Sequence, residues 1–357
     1  MLSVPNWEDT NMTASSLKLR WCILGTGIAF ALAAGAAAAQ ETISLRVADH
    51  YAPSSLTRQY TIQYFMDLVK ERSSGRVEFQ YFPAEQLGKA RDMLALTQQG
   101  VVDIGLVAPS YVPEKMPLSA VAELPGTYAS SCEGGKAYTK IAAEGPLAER
   151  DFMENGIRPL IVFMLPPYQI VTRDPVTSLD DFSGLKLRSG GTAQDQTITA
   201  LNAVPVRMSG VEVYESLSRG TLDGAVFPLQ ATIDFRLSEV LKNTTRSANF
   251  GGFATTYSIS ERAWNGIPDD LKTVIAEAAS ETERHACESL DRDDKGPALE
   301  RLAEAGVQAT EMPKALASEV AVRLKDIGTR WAASVDAQGL AGTQVLESFH
   351  EALGMGN

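Results

Sequence analysis

The stretch "FSGLKLRSGGT", Phe182 to Thr192, is where this chain first hints at chemistry. Leu185 and Leu187 alternate with polar neighbours as in a short strand, which ends in Arg188 followed by Ser189, Gly190 and Gly191. A guanidinium offers a planar fork of donors that meets a carboxylate bidentately, as a lysine ammonium cannot. Arg188 is therefore a candidate anion clamp. The blander reading is a strand-end arginine that is solvated or paired with a surface carboxylate.

Other chemistry is scarce. Only His50, His285 and His350 are available, and there is no H-E-x-x-H, no G-x-S-x-G, no phosphate-binding loop and no cysteine pair at zinc spacing. His285, Cys287 and Glu288 are close in sequence but do not share a helix face. "DRDDKG", Asp291 to Gly296, opens like a calcium loop. Lys295 then replaces an oxygen ligand, and Leu302 stands where the bidentate acid belongs. We expect a solvated helix face there, no metal, no cofactor and no catalytic residue.

The elements that would position Arg188 alternate between strand and helix. "ISLRVADHY" reads as a strand ending at His50 and Tyr51, "TRQYTIQYFMDLVKERSSG" as a helix stopped by Gly75, and "RVEFQYFP" as a strand again. Such alternation predicts an α/β fold with mostly parallel sheet. One unit recurs. "LALTQQGVVDIGLVAP" and "YESLSRGTLDGAVFPL" both run helix, glycine, two residues, aspartate, then an apolar strand ending at proline. Gly100 and Gly220 would supply the left-handed helix cap, and Asp103 and Asp223 would bond backbone amides in the tight turn. Two such units predict two lobes of related build. Their strand ends, at Pro109-Ser110 and Phe227-Pro228, would face a shared cleft. The C-terminal third is helical, with a long helix starting at Pro268 and broken at Gly296-Pro297.

At 357 residues and 45% apolar content, the chain can build two domains or one large one. A net charge of −12 argues against nucleic acid and anionic membrane surfaces as partners, though not against a small anion held in a local field. Lys18 and Arg20 precede "WCILGTGIAFALAAGAAAAQ", which ends in Ala37-Ala38-Ala39. That order predicts a secretory signal peptide over residues 1–39, with translation starting at Met1 or Met12. Cys22 opens the apolar run instead of following it, which argues against a lipoprotein anchor. Cys132 and Cys287 would remain, free to form one disulfide; the sequence leaves open whether they meet.

The segments "FPAEQLGKARDM", "LPGTYAS", "VTRDPVTSLDDFSGLKLR" and "VEVYESLSRGTLDGAVFP" together resemble the solute-binding proteins of tripartite ATP-independent periplasmic (TRAP) transporters, the DctP family, over about residues 42 to 345. The resemblance implies a two-lobed periplasmic binding protein, type II-like, with hinge strands and a long C-terminal helix spanning the lobes. We expect residues 40–165 plus 253–295 as the first lobe and 166–252 plus 296–345 as the second. It implies that Arg188 binds the carboxylate of a solute, that there is no covalent chemistry, and that the partners are the solute and membrane permease subunits of the DctQ/DctM type. ABC-type or sensor binding proteins of similar shape, and an exported hydrolase, are the alternatives.

Departures from the family carry the substrate information. Sialic acid binders have a second arginine where Tyr168 stands and an asparagine where Phe227 stands. Members that use a cation place a carboxylate near Ala225 and Val226, which offer none. Ectoine binders share a phenylalanine like Phe227 but have a tryptophan near Lys186 and Leu187. The expected pocket therefore has one carboxylate clamp and an aromatic lining of Tyr168 and Phe227, with His50, Tyr51, Ser110, Tyr111 and Phe250 at neighbouring cleft edges. Tyr168 and Phe227 are each equally readable as core. The expected solute is a small organic acid with an apolar or aromatic body, bound in the periplasm.

Overall fold

A computed structural model describes residues 42–355; the expected signal peptide, with Cys22, lies outside the described residues. Among the described residues eleven strands form two sheets. The strands are β1 Ile43–Ala48, β2 Val77–Phe82, β3 Ile104–Val107, β4 Ile157–Met164, β5 Gln169–Thr172, β6 Lys186–Ser189, β7 Val204–Arg207, β8 Gly224–Phe227, β9 Asn243–Arg246, β10 Ala254–Ser260 and β11 Gln308–Glu311. The first sheet has the order β2-β1-β3-β10-β4 and the second β11-β9-β5-β8-β6-β7.

The recurring unit appears once in each sheet. Gly100 and Gly220 both close a helix in the left-handed region, at φ 70° and 72°. Asp103 then exchanges bonds with Arg46 of β1, its amide donating to the Arg46 carbonyl at 2.9 Å and its carboxylate accepting from the Arg46 amide at 2.9 Å. Asp223 does the same with Lys186 of β6, at 2.9 and 2.8 Å. In both units the aspartate splices the incoming strand to its parallel neighbour.

The sheets are less purely parallel than the alternation predicts. In the first, β10 runs antiparallel to both β3 and β4; in the second, β5 runs antiparallel to both β8 and β9. Each is the strand that has just crossed over from the other sheet. The two crossing segments are bonded to each other, Leu165 amide to Phe253 carbonyl at 3.1 Å, Tyr168 amide to Gly251 carbonyl at 2.9 Å and Phe250 amide to Tyr168 carbonyl at 3.0 Å. Backbone pairing keeps their polar groups satisfied where they pass through the interior.

The long helix Asp269–Lys295 begins after Pro268 and stops at Gly296, as the sequence predicts. Along it lie buried Leu271, Ile275, Ala278, Ala286 and Leu290. Its last turn is not a solvated face. Asp293 is buried and takes both ends of the Arg301 fork, at 2.9 and 2.7 Å, while Asp291 accepts from the amides of Ser131 and Cys132. The acidic run is spent on capping and pairing where the helix meets its neighbours. Cys132 and Cys287 are disulfide-bonded, tying the helix Ser131–Ala143 to the long helix. Near the chain's end, Trp331 and Phe349 join a core cluster with Tyr138, Val162 and Met164. Among the described residues no helix is long and apolar enough to cross a membrane.

Candidate functional site

Among the described residues Arg188 is the largest charged side chain that is fully buried, with 1% of its surface exposed. Strand β6 holds it in register opposite Ala225 of β8 and Val206 of β7. Its Nε donates to the Met208 carbonyl at 3.0 Å, Nη1 to the Val226 carbonyl at 3.4 Å and Nη2 to the Tyr111 hydroxyl at 3.3 Å. The Phe227 ring lies 5.0 Å from the guanidinium carbon, in cation–π range. Among the described residues no carboxylate stands within ion-pair distance of it. A buried cation without a counter-charge is costly, and two of its three hydrogen bonds are long.

The small residues after Arg188 are needed for close approach. A β-carbon at Gly190 would stand 2.8 Å from the Phe253 ring, and one at Gly191 would overlap the Glu123 carboxylate. Glu123 comes from the turn Leu118–Glu123 and accepts from the amides of Ala193 and Gln194, at 3.0 and 3.2 Å. Those amides open the helix Thr192–Ala200, which follows directly from Arg188. Glu123 is fully buried, and burial pushes its carboxyl up to about 7 despite the bonds from Ser110 and the two amides.

Around Arg188 the fold gathers rings from both sheets. Lobe-crossing strands bring Tyr168 and Phe253, which stack with centroids 6.2 Å apart. The end of β8 brings Phe227, edge-on to Phe235 at 5.6 Å and 6.2 Å from Tyr168. The end of β1 brings His50 and Tyr51, 4.6 Å apart, and the turn after β3 brings Tyr111. The Tyr111 oxygen accepts from the Gly210 amide at 2.9 Å as well as from Arg188, so its own proton is left to donate elsewhere. The space these side chains enclose is small, about 20 Å3. Larger grooves exist, such as one of about 360 Å3 beside the disulfide and one of about 690 Å3 near Arg246 and Lys295. Asp294 in the second of these has a buried Oδ1 without a hydrogen bond among the described residues, but Arg188 is the more deeply buried, and we take its cavity as the candidate site.

Six of the eight residues singled out from sequence line this cavity: Arg188, Phe227, Tyr168, Tyr51, His50 and Tyr111. Two do not. Phe250 packs on Phe182, centroids 6.5 Å apart, because the crossing strand that carries it turns its ring into the core with Leu187. Ser110 sits one residue before Tyr111 on the same tight turn and faces the Glu123 carboxyl instead. Sequence reasoning missed Phe235, Phe253 and Thr255. Phe253 follows Gly251-Gly252, which could have marked a close backbone approach, but nothing local distinguishes the other two.

A comparison with protein families supplies the context for this geometry. Residues 48–331 match the family model of the bacterial extracellular solute-binding protein, family 7, DctP. The chain belongs to that family. Among curated relatives it is similar to the C4-dicarboxylate-binding periplasmic protein DctP of Rhodobacter capsulatus, 28% identical over 71% of this chain and 75% of that protein. Its fold matches a TRAP solute-binding protein of Rhodoferax ferrireducens in complex with copurified benzoate, at TM-score 0.81 and 21% identity, covering 88% of this chain and 98% of that one. It also matches a marine metagenome TRAP solute-binding protein specific for aromatic acid ligands, in complex with 3-hydroxybenzoate, at TM-score 0.82 and 22% identity, covering 88% and 99%. The DctP family member described here thus has the two-lobed α/β fold of these receptors, with Arg188 at the meeting of its two sheets.

Proposed function

We propose that this protein is the periplasmic receptor of a TRAP transporter, capturing a small organic acid with a flat apolar body and delivering it to a permease of DctQ/DctM type. The observation that carries the reading is Arg188, 1% exposed and with no carboxylate beside it among the described residues. A solute carboxylate supplies the missing charge: the Arg188 guanidinium and the Tyr111 hydroxyl, 3.3 Å apart, line one cavity, and the rings of Phe227, Tyr168 and Phe253 cover the body. The benzoate and 3-hydroxybenzoate bound by proteins of the same fold agree with such a solute.

No covalent step is part of this reading. Capture is a closing of two lobes, 40–165 plus 253–295 and 166–252 plus 296–345, about the crossing strands. Sheet membership supports that division for the strands, whereas the packing of Trp331 and Phe349 with Tyr138 speaks for counting the end of the chain, from Ile327 on, with the first lobe instead of the second. The cavity is smaller than the several hundred Å3 usual for ligand sites, so entry requires the walls to part. Closure then expels water around the ion pair and strengthens it.

A thermal-shift panel of aromatic, aliphatic, sugar and dicarboxylic acids tests the reading, since a ligand of the native state raises apparent stability. An aromatic monocarboxylate should raise the melting temperature by several degrees. A best response from a sugar acid would discard the aromatic pocket. No response from any acid would discard the receptor reading.

A further inference from the structure

The first sheet's wall of the cavity carries two polar atoms that the protein leaves without partners. His50 Nδ1 and Thr255 Oγ1 are both buried and both lack a hydrogen bond among the described residues, on side chains 6% and 1% exposed. They line the same small cavity as Arg188. The polar groups next to them in sequence, outside the cavity, are engaged. Asp49, the residue before His50, accepts from Tyr81 and Tyr257 at 2.8 Å each and from the Tyr51 amide at 3.0 Å. Thr256, the next residue on β10, bonds the Val107 carbonyl at 3.2 Å and Ser258 at 2.8 Å. Orphan polar atoms that are buried cost free energy, and these two belong to residues that line the site.

Resting on the carboxylate-receptor reading, we infer that the solute is a monocarboxylate whose body carries a hydroxyl, and that His50 and Thr255 are the residues that read it. The second sheet's wall takes the carboxylate at Arg188, and the first sheet's wall takes the other end. A threonine hydroxyl both donates and accepts, and a neutral imidazole has one nitrogen of each kind. A ligand hydroxyl, also donor and acceptor, satisfies both in either imidazole tautomer. The ring is neutral at physiological pH: burial, and then the Arg188 charge, hold its pKa down at about 4. Arg188 is thus the one cation among the described residues lining the cavity at neutral pH. A dicarboxylate would bury its second charge against a neutral imidazole and a hydroxyl, so this site should reject it.

Calorimetry on the full mature chain tests this with benzoate, 2-, 3- and 4-hydroxybenzoate, phenylacetate, its 3- and 4-hydroxy derivatives, mandelate and succinate. At least one hydroxy acid should bind about tenfold tighter than its unsubstituted parent, and succinate should be the weakest. Thr255→Val should cost the preferred hydroxy acid about tenfold more than it costs the parent acid, and Thr255→Ser, which keeps the hydroxyl, should restore the difference. A melting curve of each variant shows that it is folded, and His50→Phe provides a second route to the same loss of discrimination. Equal affinity for parent and hydroxy acids, an equal loss for both in Thr255→Val, or tightest binding by succinate would overturn the inference and leave the receptor reading intact. Absence of binding by every acid would overturn both.

Discussion

In the first sheet β1 pairs with β3 so that Ala48 lies opposite Gly105; in the second, β6 pairs with β8 so that Arg188 lies opposite Ala225. Counted from the splicing aspartates, Asp103 and Asp223, these are the same place. The correspondence extends across the sheets, β2-β1-β3-β10-β4 matching β7-β6-β8-β5-β9. One unit builds its turn, register and core with a methyl group where the other buries a guanidinium. Two strands on, Val107 of the first unit corresponds to Phe227 of the second. Nothing in the construction of the unit calls for a charge or a large ring here. The second unit bears the cost of burying both, and their common neighbour is the cavity.

The comparison is broken most severely at Arg188. Arg188→Lys keeps the charge and loses the fork, and weakening a desolvated charge pair costs roughly 2–5 kcal/mol. Affinity for the best acid should therefore fall at least about thirtyfold by calorimetry. Because the first unit forms with alanine at this position, the melting temperature of the ligand-free variant should stay close to that of the wild type. The reverse pattern, near-native affinity with a large drop in melting temperature, would make Arg188 a structural residue.

Much of this was legible in the sequence because it rests on local rules. Glycine at a helix end, aspartate three residues on and an apolar strand to proline are constrained by backbone conformation, so both units were readable and so was the arginine that the second adds. The clamp, Phe227, His50, Tyr51 and Tyr111 follow from strand ends, and Tyr168 from the resemblance to the family. What was not legible depends on side-chain direction and on contacts between distant segments. Phe250 and Phe253 lie on one crossing segment and both rings join the core cluster, yet only Phe253 also lines the cavity. Whether Cys132 meets Cys287 depends on how two helices 155 residues apart pack. The acidic "DRDDKG" run looked solvated because Arg301, which neutralises Asp293, lies on the next helix.

The second substitution makes the units alike at the ring. Phe227→Val places the first unit's residue in the second. If Phe227 covers the solute, removing about 60 Å2 of apolar contact at roughly 25 cal/mol per Å2 costs about 1.5 kcal/mol, or about tenfold in affinity. Phe227 also belongs to a core cluster with Val171, Val213 and Leu217. A purely structural ring would show itself as a lower melting temperature with unchanged affinity, and that result would remove Phe227 from the site.

The smallest effect on affinity is expected at Glu123, whose bonds to Ala193 and Gln194 join a turn following the first unit to the helix following Arg188. Here pH is the probe. The groups facing Glu123 are Ser110, Tyr138 and Asp195, and burial outweighs the hydrogen bonds to raise its pKa from about 4.5 to about 7. The folded protein therefore retains a proton that the unfolded chain releases above pH 4.5, and stability falls as pH rises through 7. Glu283, also raised to about 7 by burial, acts in the same direction. Below about pH 6.5 His50 opposes the trend, because the unfolded chain gains a proton that its buried ring, with a pKa near 4, does not take up. The clean window is thus pH 6.5 to 8, over which the melting temperature of the ligand-free protein should fall by a few degrees. Glu123→Gln, which cannot ionise, should roughly halve that slope, Glu283 keeping the rest, while changing affinity for the best acid by less than about threefold. A wild-type melting temperature that is constant or rises across the window, or a variant as steep as the wild type, would mean that Glu123 is already ionised where it joins the two halves.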